Sequence, residues 1–174
     1  VGNCSFALYP QSPSSADALR EHFGALVGQV RPGETFADFR AYRERLEAAG
    51  IAINLVSLVG HGSLRLAVMG WEQRAATATE REAMADLLAA QLRQGAHGLS
   101  LGLVYPPSAW ADAAELERLA LVVAEHGALL AAHIRSYEGG LVDSVREFLA
   151  LLRAGGASGL LSHLQAAGRP YWGS

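Results

Sequence analysis

A single cysteine, Cys4, stands in 174 residues, so no disulfide can form within the chain. Its reactivity or its capacity as a ligand is what remains of interest, and such sparing cysteine use fits a reducing compartment, the cytoplasm being the expectation. Neither sign of charge dominates. Fourteen basic and 17 acidic residues are interspersed, for a net charge of -3, with no basic stripe for nucleic acid and no polybasic segment for a membrane surface. Partners of both kinds are therefore not expected. The longest apolar tract, Leu119 to Ile134, is interrupted by Glu125, His126 and Gly127, which rules it out as a membrane span. No GxGxxG or phosphate loop occurs, since "GAHG" and "GG" have the wrong spacing. No methionine opens the chain and no charged-then-apolar leader follows; it begins inside an apparent strand, "VGNCSFALYP", as a piece of something longer would.

The chain is 51% apolar, enough for one sizeable core. Four segments repeat one pattern of helix, glycine and strand: "RERLEAAG-IAINLVSLVG", "LAAQLRQG-AHGLSLGLV", "LALVVAEHG-ALLAAHIRS" and "EFLALLRAGGASGLLSHLQ". The helical parts space their apolar residues by three and four, as at Met84, Leu87, Leu88 and Leu92, while the following runs are short and apolar almost throughout. Gly50, Gly95, Gly127 and Gly155 are placed to end helices, and Thr79 with Glu82 and Asp112 with Glu115 have the spacing of boxes that open them. Two more helices are expected between Ser12 and Ala49, separated by "RPGET", Arg31 to Thr35. Apolar strands alternating with amphipathic helices indicate an α/β fold with a parallel sheet. Counting the opening run, about five strands are expected, near 1–8, 51–59, 98–103, 128–134 and 159–163. Length alone favours an open doubly wound sheet, or else a broken barrel, because a closed barrel of eight strands needs about 250 residues.

Polar residues gather at the C-terminal ends of these strands: Cys4, Asn54 and Ser57 with His61 just beyond, Ser100, His133 with Arg135, and His163. In parallel α/β folds ligands bind at this edge. Cys4, His133 and His163 are residue types that bind zinc, although a buried histidine or cysteine taken singly is as readily explained by packing. His22, His97 and His126 fall in helices or at strand entrances and read as surface or packing residues. His61, in "GHGSLR", either lines a pocket or stabilises a turn together with Arg65. Tyr105, in the stiff loop "VYPPSAW", either presents a hydroxyl to a substrate or packs.

The segments "VGNCSFALYP", "LVGHGSLRLAVMG", "GAHGLSLGLVYPPSAW", "AAHIRS" and "SHLQAAGRPYWG" follow one another as do the hallmark segments of N-acyl-D-amino-acid deacylases, the D-aminoacylase branch of the amidohydrolase superfamily. The resemblance spans essentially all 174 residues. It implies a partial (β/α)₈ TIM barrel of the metal-dependent type, with residues 1–174 as the central part, strands two to six, and with the flanking parts elsewhere. It further implies Cys4, His133 and His163 as ligands of Zn²⁺, zinc-dependent hydrolysis of an N-acyl (amide) bond, and a small N-acyl amino acid as substrate. Tyr105 would hold the substrate or stabilise the developing oxyanion. Arg135 would contact the substrate carboxylate or brace the site. His61 and Gln165 complete the candidate substrate-binding residues.

The departures bear on the same reading. The family's His-x-His pair and catalytic aspartate belong to first and last strands outside this chain, so the chain alone is expected to be inactive. Val104 stands where glutamate commonly precedes "YPP", Gln165 where lysine commonly follows "SHL", and Tyr137 interrupts the usual "HIRSE". The alternatives are a degenerate, non-catalytic barrel piece used for binding or assembly, and a cysteine hydrolase using Cys4 with His133. Exposed strand edges are expected to be covered by the rest of the barrel or by self-association.

Overall fold

Four short apolar runs pair side by side in chain order, each after a helix that covers the last one. The computed structural model describes residues 1–27 and 33–173. Two helices, α1 (Ala16–Val27) and α2 (Phe39–Ala49), precede strand β1 (Leu58–Gly60) and helix α3 (His61–Met69). Then follow α4 (Ala78–Arg93), β2 (Gly98–Gly102), α5 (Ala113–Glu125), β3 (Leu129–His133), α6 (Leu141–Gly155) and β4 (Ser158–Leu161). The sheet is parallel throughout, in the order β1-β2-β3-β4. A doubly wound sheet reverses its strand order at a switch point, and none occurs here. Unreversed order, with α3, α4, α5 and α6 each packed on the next, is the arc of a β/α barrel. The barrel reading therefore holds against the open sheet.

Among the described residues four strands form where about five were expected. The second begins only at Leu58, and residues 1–8 hold no strand. The chain starts alongside β1, where the Val1 carbonyl accepts from the Leu58 amide at 2.9 Å. Left-handed backbone at Gly2, Cys4 and Ser5 then turns it into a 3₁₀ turn, Asn3–Ser5, lying across the strand ends. Two helix boundaries also differ from expectation. Thr77 and Glu80, rather than Thr79 and Glu82, form the capping box of α4, and Gly156 rather than Gly155 ends α6. Gly155 lies inside that helix because a Cβ there would come within 2.6 Å of the Ala120 Cβ, so α5 and α6 meet at it. Asp112 caps α5 as expected, accepting from the Glu115 amide. The two helices expected before residue 50 are present; Arg31 and Pro32 of their linker lie outside the described residues.

The core lies between the sheet and α4, α5 and α6, where Met84, Leu88, Leu99, Leu101, Leu119, Val123 and Leu130 are buried. Truncating any one of these leucines to alanine costs about 2–5 kcal/mol. This packing holds the strand ends in fixed register, with Gly60 beside Ser100 and Gly102 beside His133. β4 is the bare edge, its Leu160 half exposed. No described helix is long and apolar enough to cross a membrane.

Candidate metal centre

Three elements bring one donor each to the C-terminal edge of the sheet. Cys4 sits in the 3₁₀ turn laid over the strands, His133 is the last residue of β3, and His163 lies two residues past β4. Their ligand atoms all fall within 4.8 Å of one another. Cys4 Sγ is 2.9 Å from His163 Nε2, and the two imidazole rings meet edge-on at 5.2 Å. Cys4 and His133 are half-buried and His163 is exposed.

The backbone is distorted to achieve this. Among the described residues, the non-glycine positions with positive φ are Cys4 (53°), Ser5 (71°) and His163 (55°). Such conformations cost of order 1–3 kcal/mol each and persist where the surroundings enforce them. Two glycines make the space. A Cβ at Gly60 would lie 2.5 Å from the Ser5 carbonyl oxygen, and one at Gly102 would lie 2.4 Å from that of Cys4. Gly102→Ala is therefore expected to push Cys4 off the strand ends while leaving the hydrophobic core intact. Metal titration of the full-length variant should show affinity reduced by about 10- to 100-fold, the usual penalty for disturbing a ligand's support; unchanged affinity would mean the turn does not depend on this approach.

Tyr137 closes the site from the side. Its ring meets that of His133 edge-on at 4.7 Å, while its hydroxyl accepts from the Ile134 amide at 3.1 Å and donates to the Ser162 carbonyl at 3.0 Å. It thus ties the end of β3 to the end of β4. The sequence marks Tyr137 only as an interruption of a motif, and its four-residue distance from His133 gives no stronger signal. Tyr105 is brought to the same place, with its ring 4.9 Å from His133 and 4.9 Å from Phe6. Burial, and then the neighbouring Cys4, raise the Tyr105 phenol above its ordinary value, so it keeps its proton and can donate.

The remaining candidates lie apart from this cluster. His61 is fully buried at the start of α3, where its Nε2 is 2.7 Å from Glu115; Arg65 pairs with the same carboxylate. His61 and Arg65 thus stand one helical turn apart in α3 and share Glu115 as their partner, rather than forming a turn of their own. Arg135 is committed as well: it is paired with Glu147 at 2.9 Å and donates to the Ala109 and Ala111 carbonyls at 3.0 and 2.8 Å. It braces the loop that carries Tyr105. Gln165 is exposed on the loop after β4, two residues beyond His163.

The donor set fits a metal. A thiolate and two imidazoles suit a borderline-soft ion such as zinc, and three protein donors leave a coordination position open. His133 Nδ1 is buried with no hydrogen-bond partner among the described residues, an atom left for a ligand outside them. Burial raises the Cys4 thiol, a shift that a bound cation would offset by favouring the thiolate. Burial, and then the nearby His163, lower His133, which favours the neutral ring that a metal requires.

A barrel arc with a Cys-His-His donor set at its strand ends is a segment of an amidohydrolase-type fold. Within that class the chain is related, over its whole length, to the N-acyl-D-amino-acid deacylases. No family model matches the chain. It is 41% identical to N-acyl-D-glutamate deacylase of Alcaligenes xylosoxydans xylosoxydans over 175 residues, which is 99% of this chain and 34% of that protein. It is 35% identical to D-aminoacylase of the same organism over 177 residues, 99% of this chain and 35% of that one. The crystal structure of N-acyl-D-glutamate deacylase from Bordetella bronchiseptica superimposes with a TM-score of 0.86 at 40% identity, over 99% of this chain and 35% of that chain. That enzyme was crystallised with zinc and a phosphonate inhibitor that mimics the tetrahedral intermediate. The chain spans about a third of the length of the relatives it matches.

Proposed function

We propose that this chain is the metal-binding part of a zinc-dependent hydrolase that cleaves the amide bond of an N-acyl amino acid, D-configured as in the relatives. The observation that carries the reading is the convergence of Cys4, His133 and His163 within 4.8 Å at the ligand-binding edge of the sheet. Zinc, when held by these three side chains, supplies Lewis acidity to the scissile carbonyl. Tyr105 donates a hydrogen bond from its hydroxyl to the substrate oxygen that gains charge. Tyr137 holds the His133 and His163 segments together, and Arg135 keeps the Tyr105 loop in place. Gln165 hydrogen-bonds the substrate carboxylate as a neutral amide. The change from lysine to glutamine predicts weaker discrimination for that carboxylate than a cation gives.

The carboxylate that moves the proton to the departing amine comes from the remainder of the barrel, so this chain alone is inactive. That remainder also covers the bare edge of β4, which would otherwise template pairing with a second chain. A lone free cysteine supports a cytoplasmic setting.

The test uses the full-length protein. Metal analysis should find bound zinc, and hydrolysis of N-acetyl-D-amino acids should be lost on chelation and restored by added zinc. Absence of bound metal, or activity undiminished by complete chelation, overturns the reading. Bound zinc without hydrolysis of any N-acyl amino acid of either configuration would instead identify a binding barrel that has lost its chemistry.

A further inference from the structure

Beneath Cys4 lies a buried cluster of three serines, none of which belongs to the donor set. Ser5, Ser100 and Ser108 are all buried, with exposures of 2%, 0% and 1%. They come from three separate elements: the first turn, the middle of β2, and the loop after β2. Ser5 is the hub. Its amide donates to Ser100 Oγ at 3.1 Å, its own Oγ accepts from the Gly62 amide in the first turn of α3 at 2.5 Å, and that Oγ lies 3.2 Å from Ser108 Oγ. Next to it, Ser63 Oγ donates to the Ala7 carbonyl at 2.7 Å, which fixes the chain as it leaves the turn.

Two consecutive non-glycine residues in the left-handed region need such holding, because an L side chain there is crowded by its own backbone. A hydroxyl that accepts a buried amide and meets a second hydroxyl is directional. It fixes the rotation of the peptide between Cys4 and Ser5, and with it the direction in which Sγ leaves the backbone. We propose that Ser5 is a positioning residue: through Ser100, Ser108 and the Gly62 amide it holds Cys4 in the one conformation that aims its sulfur at His133 and His163. This rests on the metal-site reading above. It adds that the ligand's geometry is set from below by a serine network, rather than by the two histidines.

The test is titration of the metal-free full-length protein with Co²⁺, reading both affinity and the thiolate-to-cobalt charge-transfer band. Ser5→Ala removes the hydroxyl; Ser5→Gly removes it while relieving the left-handed backbone, which separates loss of the hydroxyl from backbone strain. Both variants should bind cobalt about 10- to 100-fold more weakly, with a diminished thiolate band. Ser144→Ala, another buried serine, on α6, should leave both readouts unchanged. If the wild-type protein binds no cobalt, the metal reading itself fails. If wild type shows the band and both Ser5 variants keep affinity within about twofold and the band at full strength, the positioning role is overturned and the metal site stands.

Discussion

Cys4→Ala in the full-length protein is expected to weaken zinc binding by more than about 100-fold, beyond the penalty for losing a supporting group, and to take hydrolysis down with it. The sulfur is the only anionic donor of the three, so its loss leaves two neutral imidazoles and no charge to offset that of the ion. Cys4→Asp, which restores an anion with a harder oxygen donor, should recover part of the binding. This separates the ligand role from a nucleophilic one, in which aspartate gives no rescue and chelators have no effect. The 2.9 Å contact between Cys4 Sγ and His163 Nε2 would suit either role taken alone. The third donor, His133, is what turns the pair into a site. His163→Asn is the companion variant, because asparagine tolerates the left-handed backbone that His163 adopts and so removes the ligand at little conformational cost. Metal stoichiometry by elemental analysis reads both. Full occupancy in either variant would contradict the assignment.

Much of this site is legible in the residues themselves. Short apolar runs alternating with amphipathic helices fix a parallel sheet, and a parallel sheet fixes which edge carries chemistry; those two steps make His133 and His163 candidates at that edge, while the ligand roles of Cys4, His133 and His163 and the substrate role of Tyr105 come from the resemblance. Strand order is not legible, since nothing in a run such as "GLSLG" says which neighbour it pairs with. The resemblance, rather than the periodicity, decides between barrel and open sheet. The opening strand fails for a local reason: positive φ at Gly2, Cys4 and Ser5 breaks an extended run whose residue types look like any other strand. Side-chain direction is the other gap. Arg135 and His61 sit in sequence where substrate-contacting groups would sit, yet both are consumed by carboxylates, Glu147 and Glu115, that lie twelve and 54 residues away. A pairing set by helix packing leaves no trace in local spacing. Glu115 itself reads as half of a capping box, but only its backbone amide serves the cap, while its side chain turns inward.

That inward turn carries the largest expected effect on stability. Glu115, His61 and Arg65 are each fully buried, and together they join the start of α5 to α3. Arg65 also donates to the Arg74 carbonyl at 2.7 Å, and its Nε has no partner among the described residues. Burial pushes the Glu115 carboxyl up, but the hydrogen bond and charge of His61 and the charge of Arg65 outweigh it, and the group comes down from 4.5 to about 2. Its position in the first turn of α5 adds the favourable end of the helix dipole. Glu115→Gln keeps the shape and removes the charge, leaving a guanidinium buried without a counter-ion. Breaking a buried pair in this way costs about 3–5 kcal/mol, and a depression of this size corresponds to about 3 kcal/mol. Either figure is a large share of the roughly 5–15 kcal/mol that holds a domain folded. The sign of the pH dependence follows. A carboxylate with a depressed folded value contributes its full stabilisation above the unfolded value of 4.5, and loses it as pH falls through that value toward about 2. Urea unfolding of the metal-free full-length protein should therefore show a gap between wild type and Glu115→Gln that is flat above about pH 5 and closes on acidification. A variant as stable as wild type at neutral pH, or a gap indifferent to acid, would show that the three groups form no effective network. Because Gly62, whose amide supports Ser5, directly follows His61 in α3, loosening this triad should also loosen the turn that presents Cys4.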